Sequence, residues 1–279
     1  MINLIVDSGC DISQDVINNE NCSLTYVPLN LQLEDKVYLD DENLDIEDYL
    51  NQMANSVVSV KTSAPSPDLF YEGFKTGENV FVVTLSSKLS ATYQSAMTAK
   101  RMYMEEYGKK FIHVFDSLTA SVGQGVIAMK ISELINKGTH SLDEVVEQVN
   151  QFMKGARTYF ILDKYDNLVK TGRINPYIAK LASFLNVKPI CADHEGEIKM
   201  LDKARGYSKA VAKLVEFIKT NTHDLEERVV AISHCKCYEK AVALKDEVLK
   251  NLKVKDVLIE DCKGVVATYA NRGGIVVAL

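Results

Sequence analysis

The sequence predicts an α/β protein of two domains: an N-terminal, mainly parallel sheet with helices on both faces, then a C-terminal mixed sheet with helices. Three observations carry this. Short apolar runs alternate with helix-patterned segments through the first half, the order that builds parallel sheets. Further along, a hairpin signature joins two runs directly, so the second sheet must contain antiparallel pairs. The chain has 279 residues, of which 47% are hydrophobic and 25% charged. That is ordinary for globular proteins and long enough for two domains. The boundary is placed near residue 155, giving domains 1–155 and 156–279.

The elements follow in order. Ile2 to Val6 is an apolar run that enters Asp7-Ser8-Gly9, a buried strand meeting a polar loop. Ser13 is positioned to cap a short helix. Leu24 to Leu33 is predicted as one strand and Leu44 to Ala54 as an acidic helix. Ser66-Pro67-Asp68 is a strong helix start, with a capping serine, proline at the first helical position and an acid behind it. Val80 to Leu85 is a strand running into Ser86-Ser87-Lys88-Leu89-Ser90. On the helix that follows, Ala96, Ala99, Tyr103 and Tyr107 recur at helical spacing and predict one buried face. Phe111 to Phe115 is a strand, and a helix from about Ser121 ends at Gly138, a C-cap. Leu142 to Met153 is a further helix.

In the second half Tyr159 to Leu162 is a strand, the segment to Lys170 is helical, and Asn175 to Leu185 is predicted as a helix. Val187–Ala192 and Glu197–Ala204 flank Asp193-His194-Glu195-Gly196, the hairpin signature. Helices near Ser208–Thr220 and Cys237–Leu252 surround the strand Arg228–Ser233. Asp256–Glu260, Val265–Tyr269 and Ile275–Leu279 are expected to be the closing strands.

Composition narrows the function. A formal net charge of −6 lacks the basic field that phosphate backbones need, so nucleic acid is not an expected partner. Six cysteines in a chain this long do not make a disulfide framework. The first residues show no basic, apolar signal-peptide pattern, and no run approaches a membrane span. A cytoplasmic, reduced protein is expected.

Polar chemistry collects where strands of the first sheet should end: Asp7-Ser8, Thr62-Ser63, Ser86-Ser87…Ser90 and Asp116-Ser117. Ligands of parallel α/β sheets sit there. Hydroxyls and helix-start N–H groups together suit a carboxylate or phosphate. Two readings stay open: each hydroxyl is a local cap, or several share an anion site. Arg173 and Arg205 stand beside Gly172 and Gly206. Such arginines reach an anion with a planar fork of donors, or lie solvated on the surface. Gly123-Gln124-Gly125 is not a dinucleotide fingerprint, because its first glycine does not directly follow the strand. His234-Cys235-Lys236-Cys237 has no second pair to complete a zinc site. No Gly-x-Ser-x-Gly elbow occurs. No cofactor or metal and no catalytic residue is assigned.

Taken together, these segments resemble the DegV family, which includes the fatty-acid-binding subunits of bacterial fatty acid kinase. The resemblance runs through Asp7-Ser8-Gly9-Cys10-Asp11, Lys61-Thr62-Ser63 with Pro65, Leu85 to Tyr93 and Asp116-Ser117. It continues in Gly172-Arg173-Ile174, Lys188-Pro189-Ile190, Lys203-Ala204-Arg205 and Gly273-Gly274-Ile275. It implies a lipid tunnel between two α/β domains and one bound long-chain fatty acid. The carboxylate would be contacted by Thr62 and Ser90, with Ser63 and Ser87 as neighbouring candidates. It also implies a separate ATP-dependent kinase, related to dihydroxyacetone kinases, that phosphorylates the carboxylate, with Arg173 and Arg205 serving that coupling. Transient contact with a membrane fits such a carrier. Three positions depart from the family pattern: Tyr269 stands for a carboxylate-binding histidine, Ala91 for a glycine after Ser90, and Thr171 for the first glycine of Gly-Gly-Arg. Tyrosine can still donate a hydrogen bond, without positive charge. Burying roughly sixteen carbons yields on the order of 10 kcal/mol before ordering costs, so the tail would dominate affinity while hydroxyls fix direction. The alternatives are an acyl or phosphoryl transferase using a serine hydroxyl, and a lipid sensor with no kinase.

Overall fold

The structure is a computed structural model describing residues 1–279. The chain begins with β1 (Ile2–Asp7), α1 (Gln14–Ile17), β2 (Cys22–Val27), β3 (Asn30–Leu33) and β4 (Lys36–Leu39). Then come α2 (Ile46–Asn55), β5 (Lys61–Ser63), α3 (Pro67–Lys75), β6 (Asn79–Thr84), α4 (Thr92–Tyr107) and β7 (Ile112–Asp116). Two helices follow, α5 (Val122–Lys137) and α6 (Leu142–Gly155). The second half holds β8 (Thr158–Ile161), α7 (Asp166–Lys170), α8 (Pro176–Ala182), β9 (Val187–His194), β10 (Glu197–Arg205) and α9 (Tyr207–Asn221). It ends with β11 (Val229–His234), α10 (Tyr238–Asn251), β12 (Asp256–Asp261), α11 (Gly264–Ala270) and β13 (Ile275–Ala278).

The fold class is the expected one. A parallel sheet has the order β2-β1-β6-β7, and a mixed sheet has the order β10-β9-β8-β13-β11-β12. In the mixed sheet only β11 and β12 run parallel. A small third sheet, β4-β3-β5, was not anticipated. It arises because Pro28 interrupts the run from Leu24 to Leu33, ending β2 and letting β3 turn away to pair with β4 and β5. Proline lacks the N–H needed to continue a ladder.

The layers share one helix. Phe70 and Phe74 of α3 and Ala96 and Ala99 of α4 cover one face of the parallel sheet. On its other face Ile127, Ala128 and Ile131 of α5 pack against Leu4, Val6 and Phe81. Val122 and Val126 of the same helix pack against Phe160 and Val276 of the mixed sheet. Helices α9 and α10 close the far side through Val211, Leu214, Leu244 and Val248. Helix α5 is therefore apolar on opposite sides, as a helix buried between two sheets must be. Gly125 allows this closeness, since a Cβ there would stand 3.2 Å from Ile12. The glycines that mimic a nucleotide motif serve packing.

Local signals are read well in several places. Gly138 ends α5 in the left-handed conformation. Glu195 and Gly196 both have positive φ in the β9–β10 turn, the geometry of a two-residue hairpin. Three expectations are corrected. Val265–Tyr269 is not a strand but lies in α11. The helix after Asn175 stops at Ala182, leaving Phe184 and Leu185 exposed. Tyr107 is exposed at the end of α4, so the buried face ends earlier. No helix is long and apolar enough to cross a membrane.

Candidate functional site: an apolar cavity between the sheets

Between the two large sheets lies a cavity enclosing about 880 Å³ of atom-free space, its open mouth included. Its walls are mostly apolar, with Leu29, Leu85, Phe160, Leu162, Leu168 and Val266 among them. Thr158 and Phe160 of β8 and Leu162 just beyond its end alternate toward the cavity, which therefore follows that strand.

Its polar wall residues come from four segments distant in sequence. Thr62 is paired with Leu31 in the small sheet. Tyr269 stands on α11, which packs on that sheet through Val265. Their hydroxyls lie 2.7 Å apart. Ser90 lies in the loop before α4, its hydroxyl 2.8 Å from that of Thr92. Arg173 donates through Nε to the Leu89 carbonyl (3.2 Å) and through a terminal nitrogen to the Thr171 carbonyl (2.6 Å). Thr62, Ser90, Arg173 and Tyr269 all line the same cavity. Three hydroxyls and one guanidinium thus converge on an apolar space, a donor set suited to an anionic head on an apolar body.

The other hydroxyl segments do not join them. Ser63 is exposed on the small sheet, where its hydroxyl accepts from Asn30 (3.3 Å). Ser87 is exposed in its turn, with its N–H donated to Asp116 (3.0 Å). Ser8 accepts from the Leu29 N–H, and Ser117 donates to the Thr119 carbonyl. Of the four hydroxyl segments expected to share one site, only Thr62 and Ser90 reach the cavity wall; Ser8 and Ser117 are engaged by neighbouring backbone, Ser63 by the Asn30 side chain, and Ser87 faces outward. Arg205 is exposed at the end of β10, opposite Val187, and is not part of the cavity wall. Arg173, which the resemblance assigns to coupling with a kinase, stands in the wall.

Three buried aspartates fix the scaffold, a role not read from the sequence. Asp7 accepts from the Leu85 N–H (2.6 Å), the Gly9 N–H (2.9 Å) and Gln124 (3.3 Å). Asp11 accepts from Ser121 (2.6 Å), Ser233 (2.7 Å) and the Lys263 N–H (2.7 Å), joining the two halves of the chain. Asp40 accepts from the N–H groups of Gly264 and Val265, both at 2.7 Å, and so starts α11. Burial pushes each carboxyl up to about 6, against the lowering effect of these donors. The readable signal for α11 was its stop: Asn271 at its C-terminal cap has φ 56°, and asparagine is a known helix terminator.

The β9–β10 turn closes the cavity's side. The Ser86 hydroxyl donates to the Gly196 carbonyl (2.7 Å), and a Cβ at Gly196 would meet Ser86 and Lys88. Only glycine supplies both the positive φ and the clearance.

The fold and cavity define a class: two-sheet α/β proteins with a mostly apolar chamber between the sheets and hydroxyl side chains in its wall. The DegV family model matches residues 1–279, and the chain belongs to this family. A DegV domain-containing protein of Streptococcus pneumoniae is 32% identical over 274 residues, covering 98% of this chain and 96% of the relative. A DegV family protein from Ruminococcus gnavus, refined with vaccenic acid, shares 36% identity and superposes with a TM-score of 0.92 over 100% of this chain and 99% of its own. The Streptococcus pneumoniae fatty acid kinase B3 protein, loaded with linoleic acid, shares 30% identity with a TM-score of 0.92, over 99% and 98%.

Proposed function

We propose that this protein binds one long-chain fatty acid in the cavity and presents its carboxylate to a separate ATP-dependent kinase, which converts it to an acyl phosphate. The observation that carries the reading is the Thr62–Tyr269 hydroxyl pair in the wall of an apolar chamber. A carboxylate leaving water needs hydrogen-bond donors. Thr62, Tyr269, Ser90 and Arg173 are such donors, and the apolar walls suit a tail. The fatty acids bound by the Ruminococcus gnavus and Streptococcus pneumoniae relatives support the same reading.

The roles divide by position. Arg173 and the hydroxyls hold the carboxylate, which attacks the γ-phosphorus of ATP on the kinase, with ADP leaving. Arg205, exposed at the end of β10, is available for contact with that kinase, related to dihydroxyacetone kinases. This chain supplies no nucleophile of its own. The neighbour of the Ser90 hydroxyl is the Thr92 hydroxyl, which is no base, so Ser90 lacks the activation that serine catalysis requires.

Native mass spectrometry of gently purified protein tests the binding: a bound species of fatty-acid mass is expected. Protein that carries none, and takes up neither added oleate nor palmitate, would sink the reading. Adding such a kinase and ATP, then trapping acyl phosphate with hydroxylamine, tests the second half. Loaded protein is expected to give hydroxamate, and Arg205→Ala to keep lipid but lose most of this product.

A further inference from the structure

A second cavity opens where the two halves of the chain meet. Ser121, just before α5, lines the first cavity, while Val126, Met129, Lys130 and Glu133 along that helix line the second. Facing them are Phe152 of α6 and Arg228 and Val229 at the start of β11. No residue lines both cavities. The second encloses about 1220 Å³ of atom-free space, its open mouth included, so more than a single bridging water can enter.

Arg228 is the feature that no packing role absorbs. Its guanidinium carbon lies 4.8 Å from the centre of the Phe152 ring, a cation–π contact. A Cβ at Gly155 would stand 2.7 Å from one terminal nitrogen, Nη2, so that side is packed as well. The other terminal nitrogen, Nη1, is buried and has no hydrogen-bond partner. Arg173 in the first cavity differs, since two carbonyls accept its protons. Arginine keeps its charge in proteins, and a charged donor out of water without an acceptor is costly. Burial pulls the Arg228 guanidinium below its ordinary value, and the Asp224 carboxylate only partly offsets this.

The wall states what the acceptor must be. Lys130 and Lys255 add positive charge, and Glu133, Asp224 and Glu227 add negative charge. Glu133 is already held by Lys130 (3.4 Å) and Lys137 (2.5 Å). From the other two acids a doubly charged phosphate would meet twice the repulsion that a carboxylate meets. With Phe152 against its face, the guanidinium offers its edge, which is where a planar carboxylate docks. Val16, Val126 and Met129 supply apolar surface in the same pocket.

We infer that this pocket is a second binding site, for a small carboxylate with an apolar body, whose head is held by Arg228. The inference does not rest on the fatty-acid reading, because the two cavities share no wall residue.

Nuclear magnetic resonance of protein carrying isotope-labelled arginine tests this, with phenylacetate as the probe. Excess oleate is present throughout to fill any site for long acids. The Arg228 Nε–H signal, assigned by its loss in Arg228→Lys, is expected to shift and saturate. Phenylacetamide has the same shape without the charge. It is expected to bind about tenfold more weakly, the size of one charge-assisted hydrogen bond. Saturation transfer to the probe is expected to show a similar loss, about tenfold, for phenylacetate on Arg228→Gln, with Arg228→Lys in between. Circular dichroism identifies either variant that fails to fold, leaving the other to decide. A still Arg228 signal would overturn the inference. So would equal binding of the amide, phosphate competing as strongly as phenylacetate, or unchanged affinity in folded variants. Phenylacetate that binds only when oleate is left out would overturn it too, while leaving the fatty-acid reading in place. Failure of oleate itself to bind would count against that reading alone.

Discussion

Thr62 and Tyr269 share one hydrogen bond, with either hydroxyl able to donate. Whichever donates, the other keeps a proton free for an incoming carboxylate. The two therefore act as a unit, and their removal is not additive. Thr62→Val and Tyr269→Phe are each expected to weaken oleate binding by about tenfold, the size of one lost hydrogen bond, with the double variant little worse than either single one. Titration calorimetry measures this, and two single variants at parental affinity would remove the pair from the head-group site. Tyrosine at position 269 also makes a statement about pH. Tyr269→His introduces a group with an ordinary value near ~6.5. Its affinity for oleate is expected to rise between about pH 8 and about pH 6, as the imidazole gains a proton beside the carboxylate. The parent is expected to stay flat over that interval. Equal slopes for the two proteins would show that residue 269 does not face the head group.

At the scale of elements, α11 decides whether Tyr269 meets Thr62. Its first two N–H groups are held by Asp40, and Gly264 is packed so tightly that a Cβ would stand 2.6 Å from Asp40 and 2.7 Å from Leu31. Gly264→Ala is expected to cost about 1–3 kcal/mol of stability, as overpacking does, and to weaken acid binding by moving Tyr269. Thermal denaturation and binding measured together check it; lost stability with untouched affinity would separate α11 from the site. Val265-Val266-Ala267-Thr268-Tyr269 is rich in the β-branched and aromatic residues that favour strands, in keeping with the strand expected there. Tertiary burial overrode that propensity. Val265, Val266, Ala267, Thr268 and Ala270 are all buried, and a helix is the way to bury them on several sides while keeping each backbone group paired. The single strand expected from Leu24 to Leu33 failed for a more local reason, the proline at position 28, which was there to be read.

At the scale of the molecule, Asp11 ties the halves together, reaching Ser121 on one side and Ser233 and Lys263 on the other. Its carboxyl is pushed up to about 6 by burial, from an ordinary 3.8. Between those values the folded chain binds more protons than the unfolded one, so this residue's contribution is complete below about 4 and is lost as pH rises through about 6. Calorimetry of parent and Asp11→Asn across this range is expected to show the parent's stability falling, relative to the variant, as pH rises. A constant difference would mean that Asp11 does not titrate in this window. Comparing the two proteins cancels opposing groups such as Asp163, which burial pushes up but Lys188 and Lys240 together pull below its ordinary value. The division into domains 1–155 and 156–279 we keep as a proposal. Helix α5 belongs by sequence to the first part, yet packs on both sheets.

What the chain announced by itself was whatever depends on neighbours in sequence. The alternation of strands and helices, the Glu195-Gly196 hairpin turn and the Gly138 helix stop follow from periodicity and local backbone sterics. Thr62 and Ser90 were named beforehand through a family resemblance, and Tyr269 as its departure. Their meeting at one cavity was not legible, because it depends on β5 pairing with β3, on Asp40 starting α11, and on the loop before α4 reaching Arg173. Those contacts exist only after long loops close and the core packs. Burial, not pattern, then decides which hydroxyls are spent on the backbone and which are left for a ligand.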